Sequence, residues 1–171
     1  MPIVYRSGLS DSKISAAENS LGRKFPPDYR KFLSEKNGLF ISPPDYSEIN
    51  TDKISNGTIA FDRLFGLDEE EECNDLLLFN GEFIEELRFL GGAIAIGEDG
   101  GGNPYVLVTE GEHSGVYYWD RTHLHEADSV NKFDIAEVDD SGNLFLVARS
   151  FDELYSLVLA SLGDTPMHEQ A

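Results

Sequence analysis

The chain has 171 residues, 40% of them apolar and 26% charged, which is enough hydrophobic material for one core and too much for a disordered segment. Its 32 acidic residues against 13 basic ones leave a formal charge of −19, a field that repels phosphate backbones and anionic membrane surfaces. The single Cys73 excludes an intrachain disulfide, no apolar run approaches a membrane span, and the opening MPIVYRSGLS lacks the apolar core of a signal peptide; a reducing cytoplasm is the expected setting.

In chain order, Ile14, Ala17 and Leu21 recur at helical spacing between Ser10 or Asp11 as N-cap and Gly22 as the closing glycine. A second helix is expected after Pro26-Pro27, with Tyr29, Phe32 and Leu33 on one side and Asn37-Gly38 as its stop. Leu39–Ile41 then begins a strand, and Ser42–Asn50, with Pro43-Pro44, reads as a loop. Thr58–Leu64 has strand character, with Lys53–Asn56 as a candidate hairpin partner across Asn56-Gly57. Asp68-Glu69-Glu70-Glu71-Glu72 is an uninterrupted carboxylate run that must be solvated or face positive charge. It can start a helix continued by Leu76–Phe79, and after a break at Asn80-Gly81 helical spacing resumes with Phe83, Leu87 and Leu90.

The stretch 91–120 reads as three short strands around glycine turns: Ile94 and Ile96 among small residues, then Tyr105–Thr109, then Val116–Trp119. Gly100-Gly101-Gly102-Asn103-Pro104 should be a sharp turn with at least one glycine at positive φ. Alternation sends Tyr117 and Trp119 to one face and Tyr118 to the other. One of these faces should pack under the N-terminal helices, the alternative being an exposed aromatic pair serving as an interface anchor. Thr122–Asn131 is a polar loop, Phe133, Ile135 and Val138 suggest a strand, and Leu144–Ala148 is a buried segment. Ser150 and Glu153 match a capping box ahead of a helix with the stripe Phe151, Leu154, Tyr155, Val158 and Leu162, closed by Gly163. Residues 163–171 carry no pattern and are expected to fray.

No reaction chemistry stands out. His123-x-His125 lacks further ligands for zinc and reads as a pair of exposed loop histidines. Cys73, after an acidic run that would suppress its reactivity, reads as a packing residue. The Gly97–Gly102 segment matches neither dinucleotide nor P-loop spacing, lacks a lysine and carries carboxylates that repel phosphate. Glu98-Asp99 and Asp139-Asp140 lack the spaced oxygens of a calcium loop. Catalytic, cofactor and metal residues are therefore left unassigned, and a small hydrolase built from acidic residues is the least favoured reading.

Taken in order, these segments resemble the SUKH superfamily, the Smi/Knr family named for fungal cell-wall regulators. The resemblance rests on Ile14, Glu18, Leu21 and Gly22; on Phe25, Pro26, Tyr29, Phe32, Leu33, Asn37 and Gly38; on 94–97, Gly102 and Asn103; on 116–119; and on Ala148 and 150–154. It implies one α+β domain over residues 1–171, with its core at about 10–162 and a curved mixed or antiparallel sheet with flanking helices. It also implies a non-enzymatic protein-binding module. In bacterial members this is an immunity protein neutralising a cognate toxin, often a nuclease or deaminase; in others it is a regulatory interaction module. The acidic run departs from the family pattern. A basic protein partner, meeting Asp68, Glu69, Glu70, Glu71, Glu72, Glu98 and Asp99, is the expectation that charge and resemblance together support, with no nucleic acid, membrane or cofactor involved.

Overall fold

The structure is a computed structural model and describes residues 2–68 and 70–170. Strand β1 (Ile3–Ser7) leads into helices α1 (Asp11–Leu21) and α2 (Pro27–Glu35), followed by β2 (Lys36–Ile41), β3 (Ser47–Asn50), β4 (Thr58–Phe61) and the two-residue β5 (Arg63–Leu64). A 3-10 turn at Glu72–Asn74 precedes α3 (Leu76–Phe83), and a second spans Ile84–Leu87. Then come β6 (Ala93–Glu98), β7 (Pro104–Val108), β8 (Gly115–Trp119), β9 (Leu144–Ala148), α4 (Phe151–Leu162) and β10 (Met167–Glu169). Eight strands form one mixed sheet in the order β10-β1-β2-β5-β6-β7-β8-β9, antiparallel except for the β1–β10 pair. β3 and β4 form a separate antiparallel pair.

Every residue of β6, β7 and β8 is buried, so the sheet centre is covered on both faces. On one face Ile94, Ile96, Tyr105, Leu107, Val116 and Tyr118 share a core with Tyr29, Phe32 and Leu33 of α2 and with Phe151 and Leu154 of α4. The helices lock through rings: Tyr29–Phe151 centroids lie 4.9 Å apart, Phe32–Phe151 5.1 Å and Phe32–Tyr155 5.2 Å. On the other face Val106, Val108, Tyr117 and Trp119 pack with Leu87, Leu90 and Ile135. The period-two alternation of the aromatic strand thus holds, but both of its faces are interior. Tyr118 takes the helix side, while Tyr117 and Trp119 are covered behind and are no exposed anchor.

The caps follow the sequence. Ser10 Oγ accepts from Lys13 N–H and Gly22 adopts the left-handed conformation, while Ser150 Oγ accepts from Glu153 N–H at 3.1 Å. Gly100 and Gly102 have φ of 79° and 93°, the positive values that the tight turn demands. Asp99 organises that turn, its carboxylate accepting from Gly101 and Asn103 N–H, from the Asn103 amide and from Tyr118 O–H.

Five expectations are corrected. The N-terminal segment is a strand with Ile3 fully buried, and residues 167–169 do not fray but pair in parallel with it, so the core extends beyond 10–162 at both ends. Backbone bonds to a neighbour hold a three-residue strand, Met167–Glu169, too short to show an apolar period. The partner of Thr58–Phe61 is Ser47–Asn50, inside the expected loop, because Ser47 and Ile49 alternate buried with exposed Glu48 and Asn50. α2 ends before Asn37-Gly38, which lie within β2. α3 runs through Asn80-Gly81, since Asn80 is a buried tie: its amide donates to Leu76 and Ala95 carbonyls and its oxygen accepts from Ala95 N–H, all at 2.8 Å. Finally, Phe133–Val138 is not a strand; Ile135 alone bridges to Leu144, and Phe133 and Val138 face solvent.

Truncating Phe32 or Phe151 to alanine is expected to cost about 3–5 kcal/mol in chemical denaturation. The double substitution should cost less than the sum, because the two rings touch.

Candidate functional site

The described carboxylates of the run, Asp68, Glu70, Glu71 and Glu72, lie in a segment closed at its base, where Gly66 N–H donates to Asn74 C=O at 2.9 Å and Leu76 N–H to Gly66 C=O at 2.7 Å. Asn37 positions its start, donating to Leu67 C=O at 2.8 Å and accepting from Leu67 N–H at 2.6 Å. The neighbouring Gly38, at φ 84°, lets β2 pass so close that a Cβ there would lie 3.0 Å from Gly66 N. The Asn-Gly pair is therefore a loop anchor. Arg6 donates to the carbonyls of Leu67 and Asp68 from the β1 side.

The expected contact carboxylates divide. Asp68, Glu70, Glu71 and Glu72 are exposed, with Asp68 3.8 Å from Lys13 and Glu71 receiving the Asn74 amide at 3.3 Å; Glu69 lies outside the described residues. Asp99 is committed to its turn. Glu98 is buried at the end of β6, where Arg63 of β5 faces it at 3.6 Å.

Arg63 is the hub of this corner. Its guanidinium binds Asp62 (2.7 Å from Nε), the Asn74 side-chain oxygen (2.6 Å) and the Cys73 sulfur (3.1 Å), and so ties the sheet to the 3-10 turn that ends the acidic loop. Burial holds the Glu98 carboxyl above its ordinary range, Arg63 pulls it back, and Asp99 and Asp62 push it up again.

Between this corner and α3 lies an open groove of about 590 Å³, lined by Glu72, Cys73, Leu77, Leu78, Gly81, Glu82, Phe83 and Glu98. Asp75 caps α3, accepting from Leu77 and Leu78 N–H at 2.9 and 3.0 Å. That helix buries Leu76 and leaves Leu78 53% exposed. Leu78, Glu82 and Phe83 were not expected as contact residues, Phe83 having been read only as part of a helical stripe, yet for Leu78 a signal existed. Four consecutive apolar residues, 76–79, wrap more than half a helical turn, and one face cannot bury them all.

Two other expectations change. His125 is buried, with Nδ1 3.0 Å from Asp128, and His123 places Nε2 2.8 Å from Glu137, which raises the imidazole pKa by that hydrogen bond. The pair is therefore not simply exposed, and its rings turn to different carboxylates. Cys73 is exposed, so it does not serve packing. Among the described residues no three His, Cys, Asp or Glu side chains converge as metal ligands, and no helix is long and apolar enough to cross a membrane.

Fold and groove together describe an α+β domain with a core on both sides of its sheet and an acidic, leucine-floored surface at the end of two strands. The profile of the SMI1 / KNR4 family (SUKH-1) matches residues 8–156, and the chain belongs to that family. A comparison with curated proteins finds no match. The motif residues do structural work in this fold. Glu18, buried in α1, pairs with Arg30 of α2 and lies 3.5 Å from Lys24, while Asn103 accepts from Thr122 N–H at 2.9 Å.

Removing Arg63 leaves Asp62 and Glu98 buried against each other. Arg63→Ala should lower stability at neutral pH by about 2–3 kcal/mol, discounted from the value for a fully buried pair because Arg63 is part-exposed. A raised Glu98 pKa means that the folded state holds its proton more tightly. Stability from this group is then present below the ordinary carboxylate value and lost as pH rises through the higher folded one. The substitution widens that window, so denaturation of the variant should show a smaller deficit at pH 5 than at pH 7.

Proposed function

We propose that this protein is a non-enzymatic binding module of the immunity type, neutralising a basic toxin domain in the cytoplasm by seating a cationic surface of it in the groove beside α3. The observation that carries this reading is Leu78, more than half exposed at a groove edged by Glu72 and Glu82 and continued by the acidic loop. An apolar anchor inside a charged rim is the anatomy of a protein interface. Membership of the SUKH-1 family supports the class, and a charge of −19 supports a partner of opposite sign. Inhibition then needs only occupation of the toxin's active site or of a surface beside it.

Co-expression with each reading frame adjacent to its gene tests this: one product should become non-lethal and co-purify. A co-purifying partner without toxicity would favour a regulatory module instead. For the identified complex, raising ionic strength from about 0.01 M to about 0.15 M shortens the Debye length from roughly 30 Å to roughly 8 Å, so association should slow markedly while dissociation changes less. Converting Glu70, Glu71 and Glu72 to lysine should slow association in the same way, whereas Leu78→Ala should act on dissociation. Association sensitive to salt but indifferent to these substitutions would move the binding surface elsewhere; indifference to both would remove the electrostatic account.

A further inference from the structure

The acidic surface continues past Phe83. A second open groove of about 550 Å³ lies beside it, lined by Glu85, Arg88, Phe89, Val138, Asp139 and Asp140. Only a thin wall divides the two. Phe83 lines the first groove and Arg121 the second, and the Arg121 guanidinium stacks on the Phe83 ring at 4.0 Å, held by both Glu86 oxygens at 2.7 and 3.1 Å. Arg121 is thereby neutralised. Asp139 and Asp140 are exposed and make no ion pair among the described residues. The second groove resembles the first in part: Phe89 and Val138, 38% and 44% exposed, lie among Glu85, Asp139 and Asp140, which outnumber the one cation there without an ion pair among the described residues, Arg88.

Its far wall is fixed. Ser141 N–H donates to Val138 C=O, Val138 N–H to Ser141 Oγ, and the Ser141 carbonyl accepts the buried Trp119 indole at 2.7 Å. The turn bearing the two aspartates is thus pinned to the back of the sheet, and binding there orders little that is not already ordered.

We infer that the two grooves form one docking face for a cationic polypeptide segment. The segment crosses the Arg121–Phe83 wall and places one apolar side chain on Leu78 and another against Phe89 and Val138. This rests on the basic-partner reading above and adds the second contact. Charge selects the occupant. Nucleic acid and anionic lipid are repelled, a second copy would set carboxylates against carboxylates across a two-fold contact, and a purely apolar segment would strip water from the acids without pairing them.

The probe is a synthetic peptide of about 15 residues, which spans about 50 Å when extended, composed of lysines with a leucine and a tryptophan spaced along it. Titrated into the full-length protein and followed by amide chemical shifts, it should perturb residues around Leu78 and around Phe89 and Val138 together. Asp139→Lys with Asp140→Lys should weaken binding by about fivefold or more, and Glu85→Lys, at an exposed position outside the turn, should weaken it in the same direction. Shifts confined to the Leu78 groove, or affinity unchanged in both variants, would overturn the two-groove face while leaving the first groove's role intact. No shift in either groove would overturn it too, and the broader reading would then be decided by the co-expression rescue alone.

Discussion

Burial of β6, β7 and β8 on both faces is the constraint from which the rest of the molecule follows. A strand covered on both sides exposes neither backbone nor side chain to water, so each polar group it carries needs a partner inside the protein. Asn80 therefore bonds the Ala95 backbone, Tyr105 donates to Ala60 at 2.6 Å, and the Trp119 indole finds Ser141. These bonds fix what lies against the sheet: α3, β4 and the 138–141 turn. Both proposed contact regions border elements tied down in this way. They lie at the ends and flanks of the sheet, since its centre offers no surface.

The same burial sorts the charge. Carboxylates drawn inward are answered individually: Glu18 by Arg30, Asp62 and Glu98 by Arg63, and Asp99 by the N–H groups of its own turn. Those left outward, along 70–72 and at Glu82, Glu85, Asp139 and Asp140, form no ion pair among the described residues. Part of the excess negative charge thus lies next to exposed Leu78, Phe89 and Val138, while Glu35, Glu48, Glu110 and Glu126 spread the rest over other surfaces. The proposed partner draws on that juxtaposition of acid and apolar side chains, and the remaining acids serve solubility equally well.

Family membership has its physical basis here as well. The residues that carry the resemblance hold the scaffold: Glu18 joins the first two helices, Asn37 and Gly38 anchor the acidic loop, and Tyr29, Phe32 and Phe151 lock the helices onto the sheet. None of these lies in either groove. Recognition residues can therefore change while the scaffold stays, as expected of a fold that serves different partners.

Local pattern was sufficient for much of this. The capped helices at 11–21 and 151–162, the three-strand meander, its glycine turn and core residues such as Tyr29, Phe32, Leu33, Phe151 and Leu154 are legible because hydrophobic period, caps and turn residues are properties of neighbours in sequence. The acidic run was legible as charge. What only the tertiary structure decided involves distant partners: the pairing of β1 with β10, the hairpin partner of β4, the buried bond from Asn80 to Ala95, and the inward fate of Glu98 and Asp99 against the outward one of Glu72. Leu78 shows the boundary most clearly. Its helix was expected, and four adjacent apolar residues cannot share one face, but only the packing of α3 on β6 determined that Leu78 stays exposed, and set it beside Glu72 and Glu82 in the lining of a groove.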